Sequence, residues 1–377
     1  MNRRNVLRAA ATALAFGIGS RRGSSALAQT PIALTDIAGR TITLPHAARR
    51  ILLAQGRQLP ALALAHSAPV SLLVGLGGEF QRQDPETYAL YRERFPELDA
   101  IARIGDGTAA NFPVELAIAA GPDVIIASRS FIGSLDAAGS SVLIRQMAAA
   151  GIAVVIADFH TRPLQDTLPS LRVLGELLGE AQAAQAFGQF YSTRLERIRS
   201  RLAQAAPRIP TVFMHAHAGG MPCCFTPGRG TFNDYIAAAG GHNIGSDMVP
   251  GVSGQLSLEQ VLASDAEFYV ATGGTHLASR GGLVLGTGVG ERQARASFAT
   301  LLKQPGISGL SAVAGGRAFG LWQSFTDTPL HIVAIEALAR WFHPELFADL
   351  DPDRSLSEIN SRFLPVPLRG VYWTSST

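Results

Sequence analysis

Pro113-Val114-Glu115-Leu116-Ala117-Ile118-Ala119-Ala120-Gly121-Pro122-Asp123-Val124-Ile125-Ile126-Ala127-Ser128 has a counterpart 144 positions further on. The second stretch is Ser257-Leu258-Glu259-Gln260-Val261-Leu262-Ala263-Ser264-Asp265-Ala266-Glu267-Phe268-Tyr269-Val270-Ala271-Thr272. Each reads as a short helix opened by a carboxylate, a turn carrying an acid, then an apolar run short enough for a buried strand. The same device used twice predicts two similar lobes, with Glu115 and Glu259 at equivalent places on them. Two lobes enclose a cleft, and clefts hold ligands.

The flanking sequence extends the pattern. Residues 32–44 alternate around Asp36-Ile37-Ala38-Gly39-Arg40 and predict a small hairpin with Gly39 at its turn. Short apolar runs at 50–54, 71–75, 123–127 and 153–158 then alternate with helical stretches. This rhythm predicts a mostly parallel sheet covered by helices. A helix at 164–178 ends at Gly179, and a second runs over 180–204. Its apolar residues Ala184, Phe187, Tyr191, Leu195, Ile198 and Leu202 form one stripe. At 1.5 Å per residue it is roughly 38 Å long, enough to cross from one lobe to the other. After Pro207 and Pro210 the α/β rhythm restarts, through 211–216, 232–239, 259–263, 267–272, 298–302 and 317–322, to a last helix at 329–342. The expected fold is α/β: two Rossmann-like lobes with mostly parallel sheets, joined by one long interdomain helix. The expected boundaries are 29–179 for the N-terminal lobe, 180–206 for the interlobe helix, 207–346 for the C-terminal lobe and 347–377 for a proline-rich tail.

Residues 1–28 read as an export signal. Arg3-Arg4-Asn5-Val6-Leu7-Arg8 is a twin-arginine pattern, followed by an apolar stretch at 9–19 and Ala26-Leu27-Ala28 as a cleavage site. The stretch is shorter than the roughly 20 residues that span a bilayer. Export to a bacterial periplasm is the expectation, with the twin-arginine route favoured although paired arginines also open ordinary signals. No cysteine follows the signal to carry a lipid anchor. Removing five arginines with the signal leaves 27 basic against 29 acidic residues, a charge of −2 in place of +3. The basic balance of the full chain belongs to its leader, and nucleic-acid binding loses its electrostatic motive.

With these pieces placed, the chain resembles a periplasmic substrate-binding protein of the ferric-siderophore, haem and cobalamin group that feeds ATP-binding-cassette importers. The resemblance rests on residues 36–40 with Leu44-Pro45, on Gly121-Pro122-Asp123-Val124-Ile125-Ile126, and on Ala238-Ala239-Gly240-Gly241-His242-Asn243-Ile244. Further matches are Leu256-Ser257-Leu258-Glu259-Gln260-Val261-Leu262 and Trp341-Phe342-His343-Pro344-Glu345-Leu346-Phe347. It implies two lobes tied by one long helix, a cleft that closes only slightly, no enzymatic activity and a permease dimer as partner. It also implies docking through one surface carboxylate per lobe, met by permease arginines; the matching positions are Glu115 and Glu259. Two carboxylates at a fixed separation accept bidentate arginine pairs and set docking register. A monomer is the expected state.

In parallel α/β lobes, ligands meet loops at the carboxyl ends of strands. Arg57, Arg129 and Arg280 stand in such loops and suit an anionic ligand. Phe131, Phe225 and Trp322 are placed to pack against a large flat or chelating body. Pro227-Gly228-Arg229-Gly230-Thr231 precedes a helix and reads as a loop at the cleft rim, with Arg229 touching the ligand. His215-Ala216-His217 alternates on a strand, which puts both imidazoles on one face. Two histidines are an incomplete metal site, so His215 and His217 read as hydrogen-bonding cleft residues, and neither a metal nor a resident cofactor is assigned. Cys223 and Cys224 are compatible with a vicinal disulfide or with two thiols.

The expected cargo is an iron chelate, ferric siderophore first, with haem and cobalamin open. Two rivals stand beside this reading. One is an exported metal-dependent enzyme built on His215, His217, His276 and the cysteines; the other is a binder of free metal ions.

Overall fold

The computed structural model describes residues 31–376; the export segment read at 1–28 lies outside them. The described chain opens with the hairpin β1 (Ile32–Thr35) and β2 (Thr41–Leu44), paired from Ile32 opposite Leu44 to Thr35 opposite Thr41. Asp36 fixes the turn by accepting the backbone N–H groups of Ala38 and Arg40. The Arg40 guanidinium holds the same carboxylate at 2.6 Å and reaches the Val154 carbonyl, bolting the hairpin to the lobe.

The first lobe is built on β3 (Ile51–Leu53), β4 (Leu73–Leu76), β5 (Ala102–Arg103), β6 (Val124–Ala127) and β7 (Ala153–Ile156). These lie in the order β5-β4-β3-β6-β7, all parallel. Every residue of β3 and β6 is buried. Helices cover both faces of a parallel sheet, so its inner strands read as unbroken apolar runs.

The second lobe uses β8 (Thr211–His215), β9 (Phe225–Pro227), β10 (His242–Asn243), β11 (Ser253–Gln255), β12 (Phe268–Gly273), β13 (Gly286–Thr287), β14 (Ala318–Trp322), β15 (Gly370–Val371) and β16 (Trp373–Ser375). Its main sheet runs β10-β8-β12-β14-β16, parallel except for β16. The repeated device is realised in both lobes. Val114–Ala119 leads into β6 and Leu258–Ser264 into β12, with Ala117 and Val261 turned into the cores. Ser257 and Gln260 form a capping box on the second helix.

The lobes are joined by helix Pro163–Leu178 and the long helix Ala181–Ala205. Gly179 turns the chain between them at φ +72°. Gly175 admits the crossing itself, because a Cβ there would stand 2.6 Å from that of Ala184. The long helix buries Ala184, Phe187, Phe190, Tyr191, Leu195 and Ile198. Phe187 meets Phe363 edge-on at 5.2 Å, and Tyr191 donates to His331 Nε2 at 2.8 Å. His331 opens helix His331–Phe342 and is fully buried; its Nδ1 faces the Thr328 carbonyl at 2.7 Å, which fixes the tautomer.

Of the stretch 347–377 read as a tail, the described residues 347–376 are woven into the fold. Helix Pro352–Arg362 ties to the long helix through Arg194 and Glu358 at 2.6 Å. β15 pairs with β13, and β16 seals the edge of β14.

Removing one hydroxyl tests the Tyr191–His331 contact. Tyr191→Phe keeps the packing but leaves a buried imidazole nitrogen unpaired, and the expected loss in chemical denaturation is about 1–3 kcal/mol. A loss below a few tenths would mean that the bond carries no weight.

Candidate functional site

A cavity of ≈ 300 Å³ lies between the lobes. The first lobe contributes Arg57, Gln83 and His160; the second contributes His217, Met221, His276, Leu277, Arg280, Gln323, Ser324, Thr326 and Asp327. Arg57 follows β3, His160 follows β7, His217 follows β8, His276 follows β12 and Gln323 follows β14. All stand at carboxyl ends of parallel strands, where α/β sheets receive ligands. Larger depressions of ≈ 430 and ≈ 590 Å³ lie elsewhere: the first is lined by the first lobe alone, the second by residues 63–67, the start of the long helix and residues 361–365. The first holds a single guanidinium, Arg145, and the second one imidazole and one guanidinium, His66 and Arg362; neither gathers several of each at strand ends of both lobes.

The lobes touch around this cavity. Thr87 and Thr287 share a hydrogen bond at 2.7 Å, and the Thr231 N–H donates to the His160 carbonyl. Gly230 is required there, since a Cβ would fall 2.0 Å from the Thr161 carbonyl oxygen.

Arg57 is aimed from its backbone. Gly56 passes so close to Gly77 that a Cβ would lie 2.3 Å from its carbonyl oxygen, and the Arg57 N–H donates to Glu79 Oε1 at 3.1 Å. Glu79 is buried, and burial raises its carboxyl above the usual range against the opposing pull of Arg57. The Arg57 side chain meets Asp327 Oδ1 from the other lobe at 3.0 Å.

His217 stands just beyond β8 with φ +50°. Its N–H donates to the Thr272 hydroxyl, which in turn bonds Gln323. His276 Nε2 approaches His217 Nδ1 at 3.5 Å, and His276 Nδ1 is buried without a partner. Burial, then the proximity of His276, pushes His217 down to about 4; burial lowers His276 as well, with Arg280 adding to it. Both imidazoles are therefore neutral at pH 7, each with one N–H and one lone-pair nitrogen, and one ring donates to the other across the 3.5 Å contact.

Of the residues singled out from sequence, Arg57, His217 and Arg280 line this cavity, as does His276, which was named only for the rival metal-enzyme reading. Phe225 stands behind His217, with ring centroids 6.5 Å apart. His215 does not share a face with its neighbour, because β8 ends at His215 and the chain turns. It is buried, 2.9 Å from the Tyr269 hydroxyl, and burial pushes it down to about 4. Arg129 is spent on Asp166 at 2.7 Å and on the Ile37 carbonyl. Phe131 is buried against Phe112. Trp322 is buried against Phe325 and Tyr372. Arg229 is exposed and lies outside the cavity lining. Glu115 and Glu259 are both exposed, each in the first turn of its helix. Hydrogen bonds from its own backbone and from Ser257 hold the Glu259 carboxyl below its usual range. Sequence reasoning did not single out Gln83, Met221 or Asp327. Cys223 and Cys224 are bonded to each other. Among the described residues no three His, Cys, Asp or Glu side chains are grouped to hold a metal ion unaided.

Two α/β lobes on a long helix, with polar loops converging between them, define a solute-binding module. The sequence profile of the periplasmic binding proteins matches residues 62–323, and the chain belongs to that family. The TroA-like periplasmic binding protein FepB from Veillonella parvula superposes with a TM-score of 0.80 at 24% identity, over 92% of this chain and 100% of that one. MolA of Haemophilus influenzae, solved with molybdate, gives 0.67 at 18%, over 90% and 99%. A periplasmic haem-binding protein from Pseudomonas aeruginosa gives 0.54 at 23%, over 79% and 93%. At these identities the likeness speaks for the fold. No curated protein sequence matches significantly. The family and these neighbours are solute-binding proteins and not enzymes.

His217 supplies a pH test. Its folded pKa of about 4 lies below the ordinary 6.5. The unfolded chain thus binds more protons between those values, and stability falls as pH drops through the window. His217→Asn should lose less stability than the parent between pH 6.5 and 4, by roughly 2 kcal/mol after discounting partial solvation. Parallel denaturation curves for the two proteins would contradict the buried, neutral imidazole.

Proposed function

We propose that this protein is the solute-receiving component of an ATP-binding-cassette importer in the periplasm, and that its cleft takes an anionic metal chelate. The observation that carries this reading is the meeting of His217 and His276 with Arg57 and Arg280 at strand ends of both lobes. Two neutral imidazole nitrogens 3.5 Å apart suit two neighbouring positions on one metal, where metal–nitrogen bonds run about 2.0–2.1 Å. A chelator that leaves those positions open would present its metal to the pair. Its carboxylate, hydroxamate or catecholate oxygens would face the guanidinium groups.

Only Met221 and Leu277 of the twelve lining residues are apolar. Such a lining favours a compact polar chelate, ferric siderophore first, over haem, whose faces call for apolar walls; cobalamin ranks behind for its bulk. Delivery would follow by docking of Glu115 and Glu259 on arginines of a permease dimer, with the protein acting as a monomer exported by the twin-arginine route. No helix of the described residues is long and apolar enough to cross a membrane.

Thermal melting of residues 29–377 against ferric hydroxamates, ferric catecholates, haem, cobalamin and bare metal ions tests the cargo. A ligand at 100 times its Kd adds about 2.7 kcal/mol. The expected response is to one chelate class, weakened at least tenfold by His217→Ala. A response to bare ions alone would overturn the reading.

Docking is tested separately. Glu115→Ala with Glu259→Ala should leave ligand affinity intact and abolish uptake. Loss of affinity would argue against their docking role.

A further inference from the structure

Taking the interlobe cavity as the ligand site, we propose that Asp327 is a built-in occupant of its anion position and so sets the charge a ligand must bring. Arg57 is the only arginine or lysine that the first lobe contributes to the described lining. Its guanidinium is already engaged: Nε lies 3.0 Å from Oδ1 of Asp327, which comes from the opposite lobe. His160 Nδ1 faces the same oxygen at 3.9 Å and is buried without a hydrogen-bond partner. A guanidinium and an imidazole of one lobe thus converge on a carboxylate of the other, the arrangement a ligand's oxyanion would occupy. The two side chains are 25% and 14% exposed, so the pair is shielded more than an ordinary surface ion pair.

The charge balance follows. Arg57 and Asp327 cancel, His217 and His276 are neutral at pH 7, and Arg280 is left as the one arginine of the described lining with no carboxylate partner among the described residues. A ligand with a single anionic group finds Arg280. To recruit Arg57 as well it must displace Asp327, and a partly buried carboxylate gives up its partner only when another anion takes over the guanidinium. Neutral ligands cannot make that exchange. The Arg57 backbone stays in position without Asp327, held by Glu79 and by the close passage of Gly56, so the guanidinium remains tethered beside the cavity.

Molybdate, a small tetrahedral dianion, is the probe. Isothermal titration at pH 7.5 and low ionic strength compares the parent with Asp327→Asn, Asp327→Glu and Asp327→Asn combined with Arg57→Gln. The expected result is at least tenfold tighter binding in Asp327→Asn, parental affinity in Asp327→Glu, and loss of the gain in the double variant. Asp327→Ser carries the same expectation as Asp327→Asn and guards against a folding defect peculiar to the amide. No gain on neutralising Asp327, whether both proteins bind molybdate or neither does, overturns the proposal; so does a gain that survives removal of Arg57. Failure of the metal-chelate reading is a separate result, seen as silence of the parent toward every chelate whatever molybdate does.

Discussion

One buried crossing holds the molecule in register. The long helix Ala181–Ala205 must pack a single stripe against helix Pro163–Leu178 of one lobe and helix His331–Phe342 of the other. At its centre the Tyr191 hydroxyl, the His331 ring and the Thr328 carbonyl form a chain of buried hydrogen bonds. Tyr235 stacks on the same imidazole at 4.7 Å. Polar groups so deeply buried are tolerated only when each has its partner, so the chain admits one relative placement of the three helices. Strand ends in the two lobes then face each other at a set distance, and the cleft inherits its dimensions from this crossing.

Much of this architecture was legible because buried parallel strands advertise themselves. Val124-Ile125-Ile126-Ala127 and the run beginning at Phe268 have water on neither face, and each is preceded by a short helix with a carboxylate in its first turn. The stripe on the long helix was legible for the same reason. Residues 370–375 gave no such signal. β15 spans two residues, and Trp373-Thr374-Ser375 finds its partner in β14, some fifty residues back, a pairing that no local periodicity encodes. The helix at Pro352–Arg362 was missed although Asp351 caps it and Pro352 opens it.

The site divides along a similar line. A strand end tells which loops face the cleft but not which way a side chain turns within them. Arg57, His217 and Arg280 turn inward; Arg129 turns to Asp166, thirty-seven residues later, and Phe131 turns into the core. His215 and His217 part company because alternation ends where the strand ends. Asp327 lies five residues past β14, beyond a short helical turn, and only the folded chain brings it opposite Arg57. Charge pairing across a cleft is a property of two lobes, and neither lobe's sequence contains it.

The antiparallel strand β16 bears on the order of events during folding. The sheet of the second lobe is laid down from Thr211 onward, yet its outer edge is closed by Trp373–Ser375. Until those residues are available, β14 presents unpaired backbone groups, the kind of edge to which foreign strands add. Contacts of such long sequence separation form slowly. A chain emerging in extended form would therefore carry this open edge until Trp373–Ser375 had followed β14 out, whereas a chain already folded carries it closed.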